Sequence, residues 1–407
     1  MSTRTLSRSS SSRAAFASTA RLGGALALAL SATACTGEPL GDDEAGDLAA
    51  DVAAQSVVVP TYPRTLYLES TAADSANISF GDLDRDGNPD VVLAKGRHTG
   101  LIDRVLLGDG HGGIKRSFNL NSATDRSYSA SLVDVDRDGD LDIVVSNQLD
   151  PKVVYLNDGA GNFRIGSSFG QGWDSRNSSV ADMNNDGLPD IIVANRTTTG
   201  SYVCLNRGQG RFDSNCVKFA PYPATTITPI DLDRDGKMDA IVPHRDGGQS
   251  YVYFGDGTGG FSRRVAFGPA KAAIRMAATG DFNRDGTPDV LISDEASASG
   301  GVSLYLGHRD GSLTYSRTIG ASAGTPHALV VADLNRDGVV DFAAGYEGAR
   351  PVAFINGGTG TQFTASPFGD TAGTAYGMAV ADFDHDGAKD IGIARSGARN
   401  VIYFGSL

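Results

Sequence analysis

The sequence predicts an all-β protein built from seven similar units of four short strands. A nine-residue acidic motif occurs seven times, first at residues 82–90 and last at residues 382–390. Its copies begin 52, 48, 49, 50, 52 and 49 residues apart. The 52 glycines, combined with short apolar runs and no helical patterning, favour tight turns between strands. Such a period without helices is typical of one blade of a β-propeller, so we expect a seven-bladed ring.

Each unit divides into four strands. The first strand leads into the motif, as at residues 79–81. The second follows the motif and is apolar without alternation, as at residues 143–145 and 191–193, which indicates burial on both faces between neighbouring blades. The third carries aromatic residues, as at residues 251–254, and a glycine-rich turn at residues 255–260 leads to the fourth.

The seventh unit contains only three strands before the sequence ends at Leu407. Residues 57–68, upstream of the first motif, form one additional strand-like segment. We expect this segment to be the outer strand of blade seven, because that pairing closes the ring and removes the open edges of a linear array.

The motif has the composition of a calcium loop. In the first copy, oxygen-bearing side chains stand at positions 1, 3, 5 and 9, and Gly87 stands at position 6. Carboxylates this close repel one another unless a cation neutralises them. Ca²⁺ takes about six to eight oxygen ligands, and the glycine permits the chain to curl around the ion. We expect the position-7 carbonyl to face the ion and the Asp at position 9 to close the site bidentately.

The seven loops supply 25 Asp and three Asn as side-chain ligands, and the Asn loops should bind calcium more weakly because they lose a formal charge. An EF-hand does not fit, since it needs an acid at position 12, which here falls inside an apolar strand. The expected side-chain ligands are Asp82, Asp84, Asp86 and Asp90; Asp134, Asp136, Asp138 and Asp142; Asp182, Asn184, Asp186 and Asp190; Asp231, Asp233, Asp235 and Asp239; Asp281, Asn283, Asp285 and Asp289; Asp333, Asn335, Asp337 and Asp341; and Asp382, Asp384, Asp386 and Asp390. The expected position-7 carbonyls belong to Asn88, Asp140, Leu188, Lys237, Thr287, Val339 and Ala388.

These loops and the Gly-Asp-Gly turns, such as the one at residues 254–257, make residues 57–407 resemble the FG-GAP/VCBS repeat family, the blades seen in integrin α-subunit propellers. The resemblance implies up to seven structural calcium ions that pin the hairpin between the first two strands of each blade. We expect the position-4 residues to be solvated turn tips and not ligands; they are Arg85, Arg137, Asn185, Arg234, Arg284, Arg336 and His385.

The N-terminal region predicts export. Residues 1–34 carry four Arg and no acids, and their apolar run at residues 22–30 is too short to span a bilayer comfortably. Small residues then precede Cys35, as in a bacterial lipoprotein signal in which Cys35 becomes lipidated and anchors the chain to a membrane. An ordinary secretory signal cut at the same bond is the alternative. Residues 35–56 carry six acids and no bases, and they are expected to form a flexible tether.

The expected location is therefore the cell envelope, or the outer membrane as a lipoprotein, and otherwise the periplasm or the medium. The formal net charge of −13 does not indicate a nucleic-acid partner. After removal of the +4 of residues 1–34 and the −6 of residues 35–56, residues 57–407 carry −11. Most of that acidity belongs to the metal loops.

Cys204 and Cys216 flank a glycine-rich turn near Gly210. Hairpin pairing would place them opposite each other on strands three and four of one blade. We expect a disulfide in an oxidising compartment, and two free buried thiols are the alternative. The six histidines are scattered, without metal-ligand spacing and without a nucleophile motif.

The ring face opposite the metal loops is the candidate binding surface, because it collects basic and aromatic side chains. The loops between strands two and three contribute Arg97, His98, Lys152, Arg196, His244, Arg245, Arg350, Arg395 and Arg399. The connections between blades contribute Tyr128, Trp173, Tyr222, His327 and Tyr376. Aromatic rings with polar neighbours suit carbohydrate stacking or a protein ligand, and ordinary loop chemistry is the alternative.

The sequence thus predicts a non-enzymatic interaction or adhesion module. The first competing class is a lectin of the seven-bladed calcium propeller type, although one Trp and no repeated Trp motif give no sign of identical sugar sites. The second is a propeller polysaccharide lyase, for which we find no catalytic constellation.

Overall fold

A computed structural model describes residues 57–407 except 198–199, 213–215, 297–299 and 321–323. The expectations for residues 1–56, including the export signal, lipidation of Cys35 and the acidic tether, lie outside the described residues and stay predictions. No helix in the described part has the length and apolar character needed to cross a bilayer.

The described chain is all-β and contains 28 strands in seven groups of four. It begins with β1 (Thr61–Tyr67). Blade one is β2 (Ala73–Gly81), β3 (Asp90–Lys95), β4 (Arg104–Gly108) and β5 (Ile114–Asn119). Blade two is β6 (Ser127–Val133), β7 (Asp142–Asn147), β8 (Lys152–Asn157) and β9 (Phe163–Phe169). Blade three is β10 (Ser175–Ala181), β11 (Asp190–Asn195), β12 (Tyr202–Cys204) and β13 (Val217–Lys218). Blade four is β14 (Thr228–Ile230), β15 (Asp239–Val242), β16 (Gly248–Gly255) and β17 (Phe261–Ala272). Blade five is β18 (Ile274–Gly280), β19 (Asp289–Asp294), β20 (Val302–Gly307) and β21 (Leu313–Ile319). Blade six is β22 (Thr325–Ala332), β23 (Asp341–Glu347), β24 (Val352–Asn356) and β25 (Phe363–Pro367). Blade seven is β26 (Thr374–Ala381), β27 (Asp390–Ala398) and β28 (Val401–Ser406), completed by β1.

The ring closes as predicted. β1 pairs antiparallel with β28, with Arg64 opposite Phe404 and Tyr67 opposite Val401. The closing strand therefore lies within the expected segment, residues 57–68. All neighbouring strands within the blades are antiparallel, which is the pairing that short hairpin turns allow.

The core lies between blades. Seven clusters of buried apolar side chains each join the facing sides of two adjacent blades, including blades seven and one. The second strands are buried along almost their whole length, for example β7 and β11. Their continuous apolar sequences follow from this, because each strand touches a neighbouring blade on both faces.

Hydroxyl groups also join the innermost strands. Equivalent Ser and Thr side chains on the first strands of blades one to four each donate a hydrogen bond to a backbone carbonyl of the next blade. The pairs are Ser79 to Ala130 (2.6 Å), Ser131 to Ser178 (2.7 Å), Ser179 to Ile227 (2.6 Å) and Thr228 to Ala277 (2.8 Å).

Cys204 and Cys216 form a disulfide, with their Cα atoms 4.3 Å apart. The register explains the pairing. Val203 lies opposite Val217, so the next residue pair along the hairpin brings the two cysteines face to face.

Candidate functional site

The seven acidic motifs occupy equivalent turns at one end of the blades. Each begins directly after the first strand of a blade, and its position-9 Asp opens the second strand. In the first loop, Asp82 accepts hydrogen bonds from the backbone N–H groups of Asp86 (3.2 Å) and Gly87 (2.9 Å). Gly87 has φ 85°, the left-handed conformation that makes glycine the favoured residue there. The position-1 carboxylate accepts the N–H of the glycine in all seven loops.

The position-9 carboxylates are buried and braced by the backbone. Asp142 accepts the N–H of Val135 on one oxygen and the N–H of Asn157 on the other, both at 2.9 Å. The same two bonds occur at the other six loops. Burial raises the pKa of each of these seven Asp side chains to about 6. These two bonds tie each loop to the third strand of its blade. In loops two, four and seven, one oxygen of the position-9 Asp also lies within 4.8 Å of the position-1 and position-3 oxygens, and its expected role as a ligand stays a prediction.

Four of the loops gather three carboxylates tightly. One oxygen from each of three Asp residues lies within 4.8 Å of the others in loops one, two, four and seven, and these are the loops with Asp at position 3. The same loops contain buried carboxylate oxygens without a hydrogen-bond partner. They belong to Asp84, Asp136, Asp231, Asp233 and Asp382. Buried acceptors without donors are costly unless a cation is bound. The oxygen-only donor set of these loops therefore fits a hard cation such as Ca²⁺.

The three loops with Asn at position 3 differ in their hydrogen bonding. The side-chain amide of Asn184 donates to Asp186 at 3.0 Å, and the corresponding bonds in loops five and six are 2.9 Å. This bond occupies an oxygen of the position-5 carboxylate. A cation would have to compete with this bond, so the geometry of these three loops fits a cation less well than that of the other four.

We expect Asn184→Asp to create a stronger calcium site. The change supplies one more carboxylate oxygen and removes the amide that occupies Asp186. Calcium titration by calorimetry is expected to show one additional high-affinity site relative to the wild type. Asn185→Asp is the matched control, because it adds the same charge at the neighbouring non-ligand position. Equal gains in both variants would mean that charge alone, and not loop geometry, determines binding.

Basic side chains from the outer strands also contact the Asp-type loops, which are the loops with Asp at position 3. The Lys115 ammonium contacts Asp84 at 2.8 Å and also contacts Asp86, and Arg263 contacts Asp233 at 3.0 Å. Arg64 on β1 contacts the position-3 Asp of loop seven in the same way. These contacts neutralise part of the loop charge and join the first and fourth strands of a blade at the metal-loop face.

The position-4 residues were expected to be solvated turn tips, and several of them also contact a neighbouring loop. All seven have φ between 57° and 63°, a left-handed conformation that is unfavourable for residues other than glycine. Several reach the next loop around the ring. Arg85 donates to the carbonyl of Asp138 at 3.2 Å and pairs with Asp140, and His385 lies 3.0 Å from Asn88. They are not placed as ligands, but they connect neighbouring metal loops.

The opposite face contains a cavity of about 100 Å³ at the centre of the ring. Its wall includes seven of the expected face residues, namely Arg97, His98, Tyr128, Arg196, Arg245, His327 and Tyr376. Sequence reasoning missed Arg176 and Arg275, which lie inside the first strands of blades three and five. Tyr128, His327 and Tyr376 also lie inside first strands and not in the connections between blades, where they were expected. Alignment of the repeats on their first Asp would have found the two arginines. The residue six positions earlier lines the cavity in every blade: Ala76, Tyr128, Arg176, Thr225, Arg275, His327 and Tyr376.

The other expected face residues are held outside the cavity. The prediction that Lys152 belongs to the binding surface is wrong. Its side chain is buried, and its Nζ donates to the carbonyls of Asp150, Gly170 and Trp173, each at 3.0 Å. Burial lowers the pKa of Lys152 to about 7. Trp173 stacks on Tyr202 with ring centroids 4.1 Å apart. The remaining contacts are Tyr222 against His244, Arg350 to the carbonyl of Gly369, Arg395 to Asp370, and Arg399 over Tyr67.

Charged groups in and around the cavity form a partly compensated network. Glu295 contacts Arg245, Arg275 and, at 3.2 Å, Nε2 of His327. Burial acts to raise the pKa of Glu295, but Arg275 and Arg245 hold it below its usual value. Burial and then Arg275 lower the pKa of His327 to about 3, so this imidazole is neutral at physiological pH. The arrangement presents fixed positive charge and aromatic faces from neighbouring blades.

The comparisons with known proteins agree with this architecture. A family model described as FG-GAP-like repeat matches residues 82–145, 134–193, 182–242, 231–292 and 281–344. A comparison with curated proteins gives no match. Similar solved structures include BBS1N in complex with ARL6DN, with a TM-score of 0.59, 10% identity and coverage of 84% of this chain and 96% of that chain in a mercury-soaked crystal. The lead-soaked crystal of the same complex has a TM-score of 0.58, 12% identity and coverage of 86% and 98%.

A third similar structure is an Agrocybe aegerita lectin whose title describes recognition of non-reducing terminal N-acetylglucosamine. It has a TM-score of 0.51 and 18% identity, and the match covers 73% of this chain and 80% of that chain. These identities show a shared fold alone. The repeat matches run from residue 82 to residue 344, more than half of the chain, and coincide with the loops described above. The chain therefore belongs to the FG-GAP-like repeat family.

Proposed function

We propose that this protein is an exported, non-enzymatic interaction module whose propeller is stabilised by calcium and whose ligand binds on the face opposite the metal loops. The central cavity carries the proposal. Side chains from all seven blades converge there, and its arginine and tyrosine side chains are suited to recognition. The acidic loops, in contrast, direct their oxygens inward into their own turns, which suits a structural cation.

The non-enzymatic part of the proposal has a chemical basis. The cavity wall contains arginine guanidiniums, which do not deprotonate in proteins, and two histidines with lowered pKa values. Among the described wall residues there is no carboxylate and no Ser or Cys nucleophile paired with a base. This composition favours binding of a ligand without chemical change.

The ligand class is a protein or a glycan. The solved structures similar to this chain include one in a protein complex and one lectin, and both classes therefore enter the proposal as candidates. Location at the cell envelope is also part of the proposal. It follows from the predicted signal and from Cys35, with anchoring through a lipid on that cysteine as the expected attachment.

A glycan array probed with the purified chain tests the ligand class. Binding to a defined set of glycans that is lost in Arg245→Gln and Tyr376→Ala supports the lectin class. A blank array, followed by crosslinking of an envelope protein that the same substitutions abolish, supports the protein class. Arg350→Gln is the matched control, since this arginine lies on the same face but outside the cavity wall. Ligands that both cavity variants retain would show that recognition occurs elsewhere.

A further inference from the structure

We infer that the central cavity is an oxyanion site that holds the carboxylate, sulfate or phosphate group of a small acidic ligand. This inference rests on the proposed function and specifies the chemistry of its ligand. The cavity wall contains five arginines, Arg97, Arg176, Arg196, Arg245 and Arg275, and no Asp or Glu among its described residues.

The size of the cavity limits what enters it. Water occupies about 30 Å³ per molecule in the liquid. The cavity of about 100 Å³ therefore has room for several water molecules or for a compact anionic group. The anionic group of a larger ligand would enter the cavity, and the remainder would lie on the surrounding face.

Arg176 provides a donor without an acceptor. Its side chain is only 9% exposed, and its Nη2 lies 3.0 Å from Asp174. Its Nη1 is buried and has no hydrogen-bond partner. Thr225 Oγ1, from the equivalent position of the next blade, is also buried without a partner. Two neighbouring wall positions thus present unsatisfied polar groups, which is the situation that a bound oxyanion would resolve.

Arg97 provides a cation that is held by an aromatic ring. Its guanidinium carbon lies 3.4 Å from the centroid of the Tyr376 ring, which fixes its plane. It has no ion pair among the described residues. A guanidinium stacked on an aromatic ring keeps its edge N–H groups available, and that edge binds carboxylate, sulfate or phosphate in a bidentate manner.

The acids around the cavity are already engaged by other arginines. Asp174 pairs with Arg176, the exposed Asp246 with Arg196, and Glu295 with both Arg245 and Arg275. A fourth carboxylate, that of the exposed Glu347, lies 3.5 Å from Nε2 of the wall residue His327. Four carboxylates therefore surround a wall with five guanidiniums.

The guanidiniums that line the cavity repel one another. Burial lowers the pKa of Arg176, Tyr128 and Asp174 oppose this shift, and the neighbouring Arg196 and Arg97 add smaller contributions that lower it further. An anion at the centre would relieve this repulsion, and low-dielectric surroundings would strengthen its attraction to the ring of arginines.

Isothermal titration with sodium phosphate, sodium sulfate and glucuronate, each in low-salt buffer, tests the inference on the full exported chain. Glucose serves as the neutral counterpart of glucuronate. We expect at least one oxyanion to bind with 1:1 stoichiometry, glucose to give no heat, and Arg97→Gln and Arg176→Gln each to weaken binding at least tenfold. Arg116→Gln, an exposed arginine on the outer strand β5, is the matched control and should leave the affinity unchanged.

The relative affinities for glucuronate and phosphate indicate which class of ligand carries the anionic group. Tighter binding of glucuronate than of phosphate indicates an acidic sugar, and the reverse order indicates a phosphorylated or sulfated ligand. Both results support the oxyanion site. Absence of heat with every anion overturns the inference. Equal affinity of the wild type and of folded Arg97→Gln protein also overturns it, because that result indicates an adventitious ion only. A glycan-array or crosslinking result that depends on the cavity but involves a neutral ligand would overturn the oxyanion site and leave the proposed interaction function intact.

Discussion

Removal of calcium is expected to lower the melting temperature of this protein by on the order of 10 °C. A site saturated at about 100 times its dissociation constant contributes about 2.7 kcal/mol by linkage, so the four loops with clustered carboxylates contribute on the order of 10 kcal/mol together. For a domain of this size each kcal/mol corresponds to roughly one or two degrees. Differential scanning calorimetry before and after EDTA, followed by return of Ca²⁺ or Mg²⁺, measures the effect.

Calcium should restore the melting temperature more fully than magnesium, because the curled loops offer many oxygens without the strict octahedral geometry that Mg²⁺ demands. The matched control replaces the position-3 Asp with Asn in the four Asp-type loops, at Asp84, Asp136, Asp233 and Asp384. That variant should respond to EDTA much less than the wild type. An identical melting curve before and after chelation of a sample shown by elemental analysis to contain calcium would contradict the structural role of the metal.

Replacement of a position-9 Asp is expected to destabilise the protein even without metal. In Asp142→Ala the buried N–H groups of Val135 and Asn157 lose their acceptor. Each unsatisfied buried donor costs about 1–3 kcal/mol, so the free energy of unfolding should fall by about 2–6 kcal/mol. Chemical denaturation in EDTA isolates this contribution from any effect of calcium.

Asp136→Ala in the same loop is the comparison for that experiment. One oxygen of Asp136 is buried without a hydrogen-bond partner, so its removal should cost little in EDTA and should cost stability only when calcium is present. Two variants with the same loss in EDTA would show that position 9 has no special bracing role.

The fold was predictable because its signals are periodic. The spacing of the first Asp residues defines the blades, and continuous apolar runs such as β7 are expected wherever a strand has neighbours on both faces. The closing strand was predictable by counting, since one blade lacked a strand and residues 57–68 had no other partner. The Cys204–Cys216 pair followed from hairpin geometry.

The details of the sites were less predictable, because they depend on contacts between repeats. The role of Arg85 depends on the distance to the next loop, which a single repeat does not reveal. Lys152 resembled an exposed basic residue, yet three carbonyl groups surround its ammonium. Arg176 and Arg275 lie within strands, and a single repeat does not show that their position faces the same cavity in every blade. Similar limits apply to position 9, whose second hydrogen-bond partner lies 15 residues away in the chain at Asp142.

The pairing of β1 with β28 has a consequence for folding kinetics. Arg64 on β1 contacts Asp384, a residue 320 positions later in the chain. Contacts at such sequence separation form slowly, since a long loop must close before the pairing gains any free energy. Blades one to six can assemble from local hairpins as the chain emerges, whereas blade seven has no fourth strand until the C-terminal strand meets the N-terminal one. We therefore expect closure by β1 to be a late step of folding, before which β28 presents an unpaired edge to other molecules.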